Sequence, residues 1–451
     1  MKRLVTRLLA AAFTFALAAQ ASALEVNVKG NFHFSFRWED KMSSKFHDVA
    51  EDTFAARQRM RFQVDFIASE NLRGVLYLHS GNLFWGNEEQ GGALDTTKNT
   101  LKVRHAYIDW NVPDTGLNVK MGLQQVANPA FAAGSVFTND AMAGVTLSNT
   151  FNENVAASLG WYRLYNGDKI KDAVDMFMLS VPMTFDSFKI TPWGEYTFIG
   201  RDATMLYHGI QPPVSADQLA AIGLSASDLT PGYDEKGRMW HLGVATEFNP
   251  IDPLTIGFDF IYGAADRGDD VRVKTDGFYA ALKAKYDVGF GKLMGGAWYA
   301  SGSDEDDIWD GDDWEFGTMP SLVGSTNGDP GFDMTGLGFW GNNTPLAGAG
   351  QISHSGMGTW GVMLGMKDLS FVTDLSHVIK VAYYEGTSDN ETRGMRYGDK
   401  FNVFMTEDDS AFEINLDSKY QIAKGFTCSL DAGIVFMDWD GDYEDANDDL
   451  D

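Results

Sequence analysis

The stretch that decides the fold is Phe54–Phe66, FAARQRMRFQVDF. Its even-numbered positions are apolar except for Gln58, whereas its odd-numbered positions include Arg57, Arg59 and Arg61. Because side chains of a β-strand alternate between two faces, this stretch predicts a strand with one oily face and one face that carries three guanidinium groups. A water-soluble sheet would bury the oily face. We predict the reverse, with the oily face against lipid and the arginines in a water-filled interior.

The segment Glu25–Asp40 repeats this pattern. Apolar side chains and one glycine occupy every second position from Val26 to Trp38, and polar side chains fill the positions between them. Seven such alternations are long for a soluble strand of about five or six residues. They suit a membrane-crossing strand, which needs roughly 9–11 residues. The chain contains seventeen strand candidates in all, the last at Phe426–Met437.

Short turns and long connections alternate along these candidates. Ser69–Asn71, Val112–Gly116 and Asn249–Pro253 are short, whereas the intervening connections, such as Gly81–Leu101, are mostly longer. This order is typical of outer-membrane barrels, which have turns at one rim and loops at the other. We therefore predict an all-β fold, a transmembrane antiparallel β-barrel of 16–18 strands, with residues 24–451 as one domain.

The N-terminus predicts export. Residues 1–23 begin with three positive charges, continue with the apolar run Leu8–Ala19 and end in the small residues Ala21–Ala23. This order defines a cleaved signal peptide. The alternative, a single membrane anchor, is disfavoured because the apolar run is too short to span a bilayer. We expect the mature chain to begin at Leu24 and to reach the bacterial outer membrane.

Charge and cysteine content exclude several classes of protein. The net charge is −28, and it becomes about −31 when the three positive charges of residues 1–23 are removed. Such an acidic chain is not expected to bind nucleic acid. Cys428 is the single cysteine, so neither a disulfide within the chain nor a cysteine-based zinc site can form.

The C-terminal end departs from the usual pattern. Seventeen is an odd number, whereas single-chain bacterial barrels have an even number of strands. After Met437 the sequence continues as an acidic segment without a strand pattern. Either one candidate is counted in excess, or a closing strand lies beyond Asp451 in a longer parent sequence. The turn order favours the second alternative, because it places a long outer loop at this point.

Two features predict a constriction in the interior. The first is the row of Arg57, Arg59 and Arg61 on the inward positions. The further charged residues expected to line the interior are Lys29, Arg37, Arg104, Lys120, Asp65 and Asp109. Charges at the narrowest point set the selectivity of a pore. The alternative is that the arginines pair with Asp65 and Asp109 and only stabilise the wall.

The second feature is the connection Gln125–Asp140, QVANPAFAAGSVFTND, which follows the fifth strand candidate. It is small and apolar for an outer loop, which suits a segment that folds back inside a barrel. Its candidate constriction residues are Asn128, Pro129, Phe131 and Asp140. The alternative is an ordinary external loop.

No motif indicates catalysis or a resident cofactor. The sequence lacks nucleophile, phosphate-binding-loop and zinc-protease signatures, and its eight histidines have no metal-binding spacing. We therefore expect no enzyme activity and no cofactor. The acidic loops, such as Ser303–Glu315, could bind divalent cations weakly, although their spacing does not match a calcium loop.

The sequence resembles the homotrimeric outer-membrane porins of Desulfovibrio-type bacteria. The residues that carry the resemblance are LEVNVKGNFHFSFRW from Leu24, TFAARQRMRFQVDF from Thr53, VRHAYIDWNVP from Val103, VKMGLQQVANPAF from Val119 and AGVTLSNTFNENVAASLGWYRLYN from Ala143. The resemblance is densest from Leu24 to Asn166. It implies a homotrimer of water-filled barrels, embedded in lipid and lipopolysaccharide, through which small hydrophilic solutes diffuse passively.

Two alternatives to a passive diffusion channel stay open. One is a structural or adhesive barrel with an occluded lumen, and the other is a barrel enzyme, for which we find no Ser–His pair. Ion preference also has two interpretations, because the net charge favours cations and the arginine row favours anions. Charge at a constriction should outweigh loop charge, which salt screens within about 10 Å.

Overall fold

The computed structural model describes most of the mature chain. The described residues are 25–39, 53–88, 92, 101–166, 173–200, 236–267, 272–304, 309–310, 313–320, 358–390 and 406–438. The predicted signal peptide and the acidic segment after residue 438 lie outside these ranges.

The described part of the chain contains twenty β-strands. They are β1 Glu25–Glu39, β2 Thr53–Ser69, β3 Leu72–Phe84, β4 Leu101–Asn111, β5 Leu117–Ala127, β6 Asn139–Thr150, β7 Ala156–Tyr165, β8 Val174–Ser180, β9 Met183–Thr184, β10 Phe188–Ile199, β11 Gly237–Ile251, β12 Leu254–Arg267, β13 Arg272–Asp287, β14 Lys292–Ala300, β15 Trp309–Asp310, β16 Asp313–Phe316, β17 Thr359–Val372, β18 Leu375–Gly386, β19 Ser410–Ala423 and β20 Phe426–Asp438. Seventeen of them are long and coincide one for one with the predicted candidates. The other three, β9, β15 and β16, have two to four residues.

Helices do not contribute to a membrane span in the described ranges. No helix there combines the length and the hydropathy that crossing a bilayer requires.

The chain forms two compact units. Unit 1 comprises Met1–Glu39, Asp52–Gln124 and Val145–Leu147, and unit 2 comprises Asp40–Glu51, Gln125–Gly144 and Ser148–Asp451. In unit 1, β1 to β5 pair antiparallel in chain order. In unit 2, antiparallel pairs connect β7, β8, β10–β14 and β17–β20 in chain order. The short β16 pairs parallel to β13.

The register of β1 against β2 fixes the two faces of unit 1. It continues without interruption over fifteen pairs, from Glu25 opposite Ile67 to Glu39 opposite Thr53. Odd-numbered residues therefore oppose odd-numbered residues, and the polar positions of both strands share one face. We call the face that carries the exposed apolar side chains the outward face, and the opposite one the inward face.

Burial is inverted relative to a water-soluble protein. On the outward face of unit 1, Trp38 is 72% exposed, whereas Arg57 on the inward face is only 7% exposed. Other exposed apolar side chains of this face are Val26, Val28, Phe32, Phe34, Phe36, Phe54, Phe66, Ile108, Trp110 and Met121. A contiguous exposed apolar surface of this kind indicates contact with a membrane or a partner. An outward apolar band is what a transmembrane barrel presents to lipid.

Gln58 is the polar interruption of the oily face of β2, and it has a partner there. The indole Nε1 of Trp85 donates a hydrogen bond to Gln58 Oε1 at 2.9 Å. Phe36 packs edge-on against the Trp85 ring, with ring centroids 5.5 Å apart. A polar group that faces hydrocarbon is costly unless it is hydrogen-bonded. Trp85 therefore compensates for the amide of Gln58 on the oily face of β2.

Unit 2 shows the same alternation and adds a packed cluster on its inward face. Outward side chains such as Leu242, Phe260 and Leu364 are exposed. The buried inward cluster includes Phe137, Met176, Met239, Ile261, Tyr279, Trp298, Met319, Met363 and Tyr384. Part of the inward surface of unit 2 is thus covered by protein rather than open to water.

We predict that an outward charge destabilises the protein. Leu242, 59% exposed and near the middle of β11, is the test position. Leu242→Arg should lower the free energy of unfolding by about 2–4 kcal/mol, the cost of an arginine near the bilayer midplane. Urea titration in phospholipid vesicles measures this change. The matched control Leu242→Ala should lower the free energy of unfolding by a smaller amount, because it places no charge in lipid. An arginine variant as stable as the alanine variant would contradict a lipid-facing surface.

Candidate functional site

The predicted arginine row lies on the inward face of β2. Arg57, Arg59 and Arg61 occupy successive inward positions of an uninterrupted ladder with β1. On the other side, Arg61 lies directly opposite His79 of β3. Side chains at successive inward positions of one strand stand about 6.6 Å apart. The three guanidinium groups therefore form one continuous cationic row.

The structure places three more predicted cations on the same face of unit 1. Arg37 and Lys29 belong to the inward set of β1. Lys120 of β5 lies opposite Asp109 of β4, and its ammonium group is 5.3 Å from the centroid of the Tyr107 ring. The cationic surface therefore includes residues of β1, β2 and β5.

Arg104 reaches this face through a β-bulge. The β3–β4 register pairs Val103 and His105 with successive residues of β3, so Arg104 is the extra residue between them. Strict alternation would place Arg104 outward with Ala106. A bulge redirects the side chains around it. The Arg104 Nε atom is buried, whereas Val103 and Ala106 are exposed.

The two predicted carboxylates bind other cations. Asp65 is 3.6 Å from the Lys29 ammonium group and accepts a hydrogen bond from Gln63. Asp109 accepts a 2.7 Å hydrogen bond from Arg73. Among the described contacts, neither Asp65 nor Asp109 therefore pairs with the arginine row. The residue that sequence analysis overlooked here is Arg73.

Part of the guanidinium surface has no hydrogen-bonding partner within the described residues. The Nε atoms of Arg57, Arg61 and Arg104 are buried without one. The Arg57 guanidinium instead stacks 4.1 Å above the centroid of the Phe84 ring. Buried polar atoms without partners are rare in native proteins and often mark a functional site or bound water or ions.

The connection Gln125–Asp140 forms a compact loop in unit 2. Asn128 organises it, because its Oδ1 atom accepts hydrogen bonds from the backbone N–H groups of Phe137 and Thr138 at 3.2 and 2.9 Å. The Ser135 hydroxyl donates to the Asn128 carbonyl at 2.5 Å. Asn128 Nδ2 donates to the Pro129 carbonyl at 3.3 Å. The predicted loop residue Asn128 therefore acts by shaping the loop.

Asp259 of β12 holds the tip of this loop. Its carboxylate accepts hydrogen bonds from the N–H groups of Phe131, Ala132 and Ala133 at 2.7, 2.8 and 3.0 Å. The loop lies so close to β12 that a Cβ atom at Gly257 would stand 2.6 Å from the Phe131 carbonyl oxygen. Glycine at 257 is therefore required for this approach.

A second contact holds the end of the loop. The Thr138 hydroxyl donates to Glu195 Oε2 at 2.9 Å, and Glu195 Oε1 lies 2.7 Å from His241 Nδ1. His241 Nε2 lies 2.7 Å from the carbonyl oxygen of Pro320. Both ring nitrogens of His241 therefore lie next to oxygen atoms, one of Glu195 and one of Pro320. The chain Thr138–Glu195–His241–Pro320 joins two loop segments to the inward face.

These contacts place residues 128–138 on the inward face of β10–β12. That is the position which the constriction-loop prediction requires and which an ordinary external loop would not occupy. Asp140 does not join the tip: it lies in β6 and accepts a hydrogen bond from the N–H of Ala141 at 2.6 Å. Whether Asn128, Pro129 and Phe131 limit passage stays a prediction.

Sequence analysis missed the anchors of this loop. Asp259, Glu195 and His241 are buried polar residues on inward positions of otherwise apolar strands. One feature of the sequence could have indicated them. In β12, LTIGFDFIYGAADR, the carboxylate of Asp259 occupies an inward position among glycine and aromatic residues. Such a residue must find hydrogen-bond donors.

The described part of the acidic stretch includes a short hairpin. β15 pairs with β16, and Glu315 lies 2.5 Å from the ammonium group of Lys274. Within the ranges that the structure describes, no group of three or more acidic, histidine or cysteine side chains is arranged to hold a metal ion.

Neither models of known protein families nor curated proteins match this chain. Solved structures do match. OprE of Pseudomonas aeruginosa superposes with a TM-score of 0.51 at 10% identity, covering 92% of this chain and 94% of that one. The chain has the fold of an outer-membrane porin. OpdO of the same organism gives 0.49 at 10% identity, with coverages of 94% and 93%. A loop-deletion mutant of OmpT, an outer membrane protein of Vibrio cholerae, gives 0.43 at 13%, with coverages of 81% and 95%.

The porin fold confirms the predicted all-β barrel class. At these identities the similarity concerns the fold alone, because one fold can serve many functions.

We predict that Asp259 protects the loop tip. Asp259→Ala should speed hydrogen exchange at the amides of Phe131, Ala132 and Ala133 by at least about tenfold, because hydrogen bonds to a charged acceptor contribute about 1.5–3 kcal/mol each. Exchange mass spectrometry of the detergent-solubilised protein measures this. The control is Asp266→Ala, a substitution on the same strand as Asp259. It removes a surface ion pair with Arg238. Equal exchange in both variants would show that Asp259 does not anchor the loop.

Proposed function

We propose that the protein is an outer-membrane porin, a passive diffusion channel for small hydrophilic solutes and ions, and not an enzyme. The observation that carries this proposal is the inversion of its strands. Apolar side chains such as Trp38 are exposed, and the charged row of Arg57, Arg59 and Arg61 lies on the opposite face. A polar face inside a porin-type fold serves to pass water and solutes.

The proposed function also implies which molecules surround and bind the protein. The outward apolar face would contact outer-membrane lipid, and the acidic outer segments would face lipopolysaccharide. Divalent cations would bind weakly between acidic groups there. No cofactor and no nucleic acid are needed for this function. The Desulfovibrio-type resemblance supports a homotrimer.

Anions are the preferred ions in this proposal. The inward face of unit 1 carries a row of guanidinium groups, while Asp65 and Asp109 bind Lys29 and Arg73. The excess charge at that surface is therefore positive. Acidic groups in outer segments act over no more than about 10 Å at 0.1 M salt. Local positive charge should thus decide selectivity.

A second candidate is a structural or adhesive barrel with an occluded lumen. The observation in its favour is the buried cluster on the inward face of unit 2, where Phe137, Tyr279 and Trp298 pack. Conductance separates the two candidates. The purified protein in a planar lipid bilayer should carry stepwise ohmic current in potassium chloride. A folded protein that inserts without current would reject the channel and favour the occluded barrel.

We predict that the arginine row sets ion preference. The triple variant Arg57→Gln, Arg59→Gln, Arg61→Gln should shift the reversal potential in a salt gradient toward cations. The chloride-to-potassium permeability ratio should fall roughly tenfold, the effect of ~1.4 kcal/mol of lost attraction. The outward ion-paired Arg163 provides the control Arg163→Gln, which should leave the ratio unchanged. An unchanged reversal potential in the triple variant would assign those arginines to the wall.

The trimer has its own test. Light scattering of the protein in detergent, corrected for bound detergent, should give a protein mass of three copies of the mature chain. A mass of one copy would contradict the homotrimer without affecting the channel proposal.

A further inference from the structure

Three cationic or imidazole side chains from three adjacent strands lie near one another on the inward face of unit 1. Arg61 of β2 and His79 of β3 are directly opposite each other, so their Cβ atoms stand about 5 Å apart. Arg104 of β4 is the bulged residue between Val103 and His105, whose partners Leu78 and Tyr77 directly precede His79 on β3. Like charges repel, so this arrangement is unfavourable in an empty site.

Each of these side chains contributes one buried nitrogen atom. Nε of Arg61, Nε of Arg104 and Nε2 of His79 are buried and have no hydrogen-bond partner among the described residues. His79 as a whole is only 7% exposed. A buried donor without a partner costs about 1–3 kcal/mol. Three such atoms on adjacent strands call for an acceptor.

Neighbouring groups hold the three side chains in place. Arg61 is hydrogen-bonded to the side chain of Tyr77, and the His79 ring is hydrogen-bonded to the backbone of Gly81. Gly81 has a positive φ of 101°, and a Cβ atom there would stand 2.5 Å from the Gln58 carbonyl. The conformation at residue 81, and with it the bond to His79, therefore requires glycine.

We propose that Arg61, Arg104 and His79 form a binding site for a doubly charged tetrahedral oxyanion, of the class of phosphate, phosphate monoesters and sulfate. The site deepens the proposed channel function, on which it rests, because the anion reaches it through the pore. At least two guanidinium groups face the site, which favours a doubly charged anion over a singly charged one. Nitrogens arriving from three strands match oxygens that point in different directions.

Other anion classes fit this arrangement less well. A carboxylate is planar and is best bound by the paired N–H groups of one guanidinium. Chloride accepts from any direction and gains no advantage from three fixed donors. The nearby carboxylates do not compete for the site, since Asp65 contacts Lys29 and Asp109 contacts Arg73.

The test is current block by inorganic phosphate. Full-length protein in a planar bilayer carries chloride current while phosphate or sulfate is added at constant ionic strength. Wild type should show saturable block by both anions, whereas acetate should block at least tenfold more weakly. Arg104→Gln should raise the half-blocking phosphate concentration about tenfold, because it removes one charged hydrogen-bond donor.

Arg163→Gln provides the control. Arg163 is an outward residue of unit 2 whose guanidinium is paired with Asp175. Its loss should change the half-blocking concentration less than twofold. Equal effects of the two variants, or equal block by acetate and phosphate, would overturn the site while the chloride current still supports a channel. Absence of chloride current in wild type would instead reject the channel itself.

Discussion

Backbone groups in hydrocarbon must find every hydrogen-bond partner within the protein, and this constraint organises the rest of the structure. It explains why β1 and β2 pair without a break over fifteen residues. It also fixes the side chains, because a continuous ladder imposes strict alternation between the two faces. One face then contacts lipid and must be apolar. The other is free to carry guanidinium groups that no soluble core could tolerate.

Charged residues have different roles in the two units. In unit 2 two buried carboxylates hold the loop: Asp259 binds three backbone N–H groups, and Glu195 joins Thr138 to His241. Because a buried carboxylate is costly without donors, these residues determine where the loop lies. In unit 1 the Nε atoms of Arg61 and Arg104 lack partners within the described residues. Satisfied charges stabilise the structure, and unsatisfied ones indicate a surface for solutes.

The sequence was sufficient to predict the strands and their faces. A period of two is a local signal. It is present in each strand because lipid on one face and water on the other select different side chains. The contacts of the loop could not be predicted, because Asp259 is 126–128 residues from its partners and Glu195 is 57 from Thr138. Arg104 was expected to line the interior although strict alternation places it outward. The bulge that redirects it leaves no trace in local periodicity.

The central claim is that Phe54–Phe66 meets lipid with one face and water with the other. The most direct test is spin-label accessibility along this stretch, with Cys428 replaced and single cysteines introduced from 54 to 66. Collisions with oxygen, which dissolves in lipid, should peak at even positions, and collisions with a water-soluble nickel complex should peak at odd positions. The two profiles should be out of phase with a period of two. Profiles in phase, or nickel access at even positions, would contradict the account.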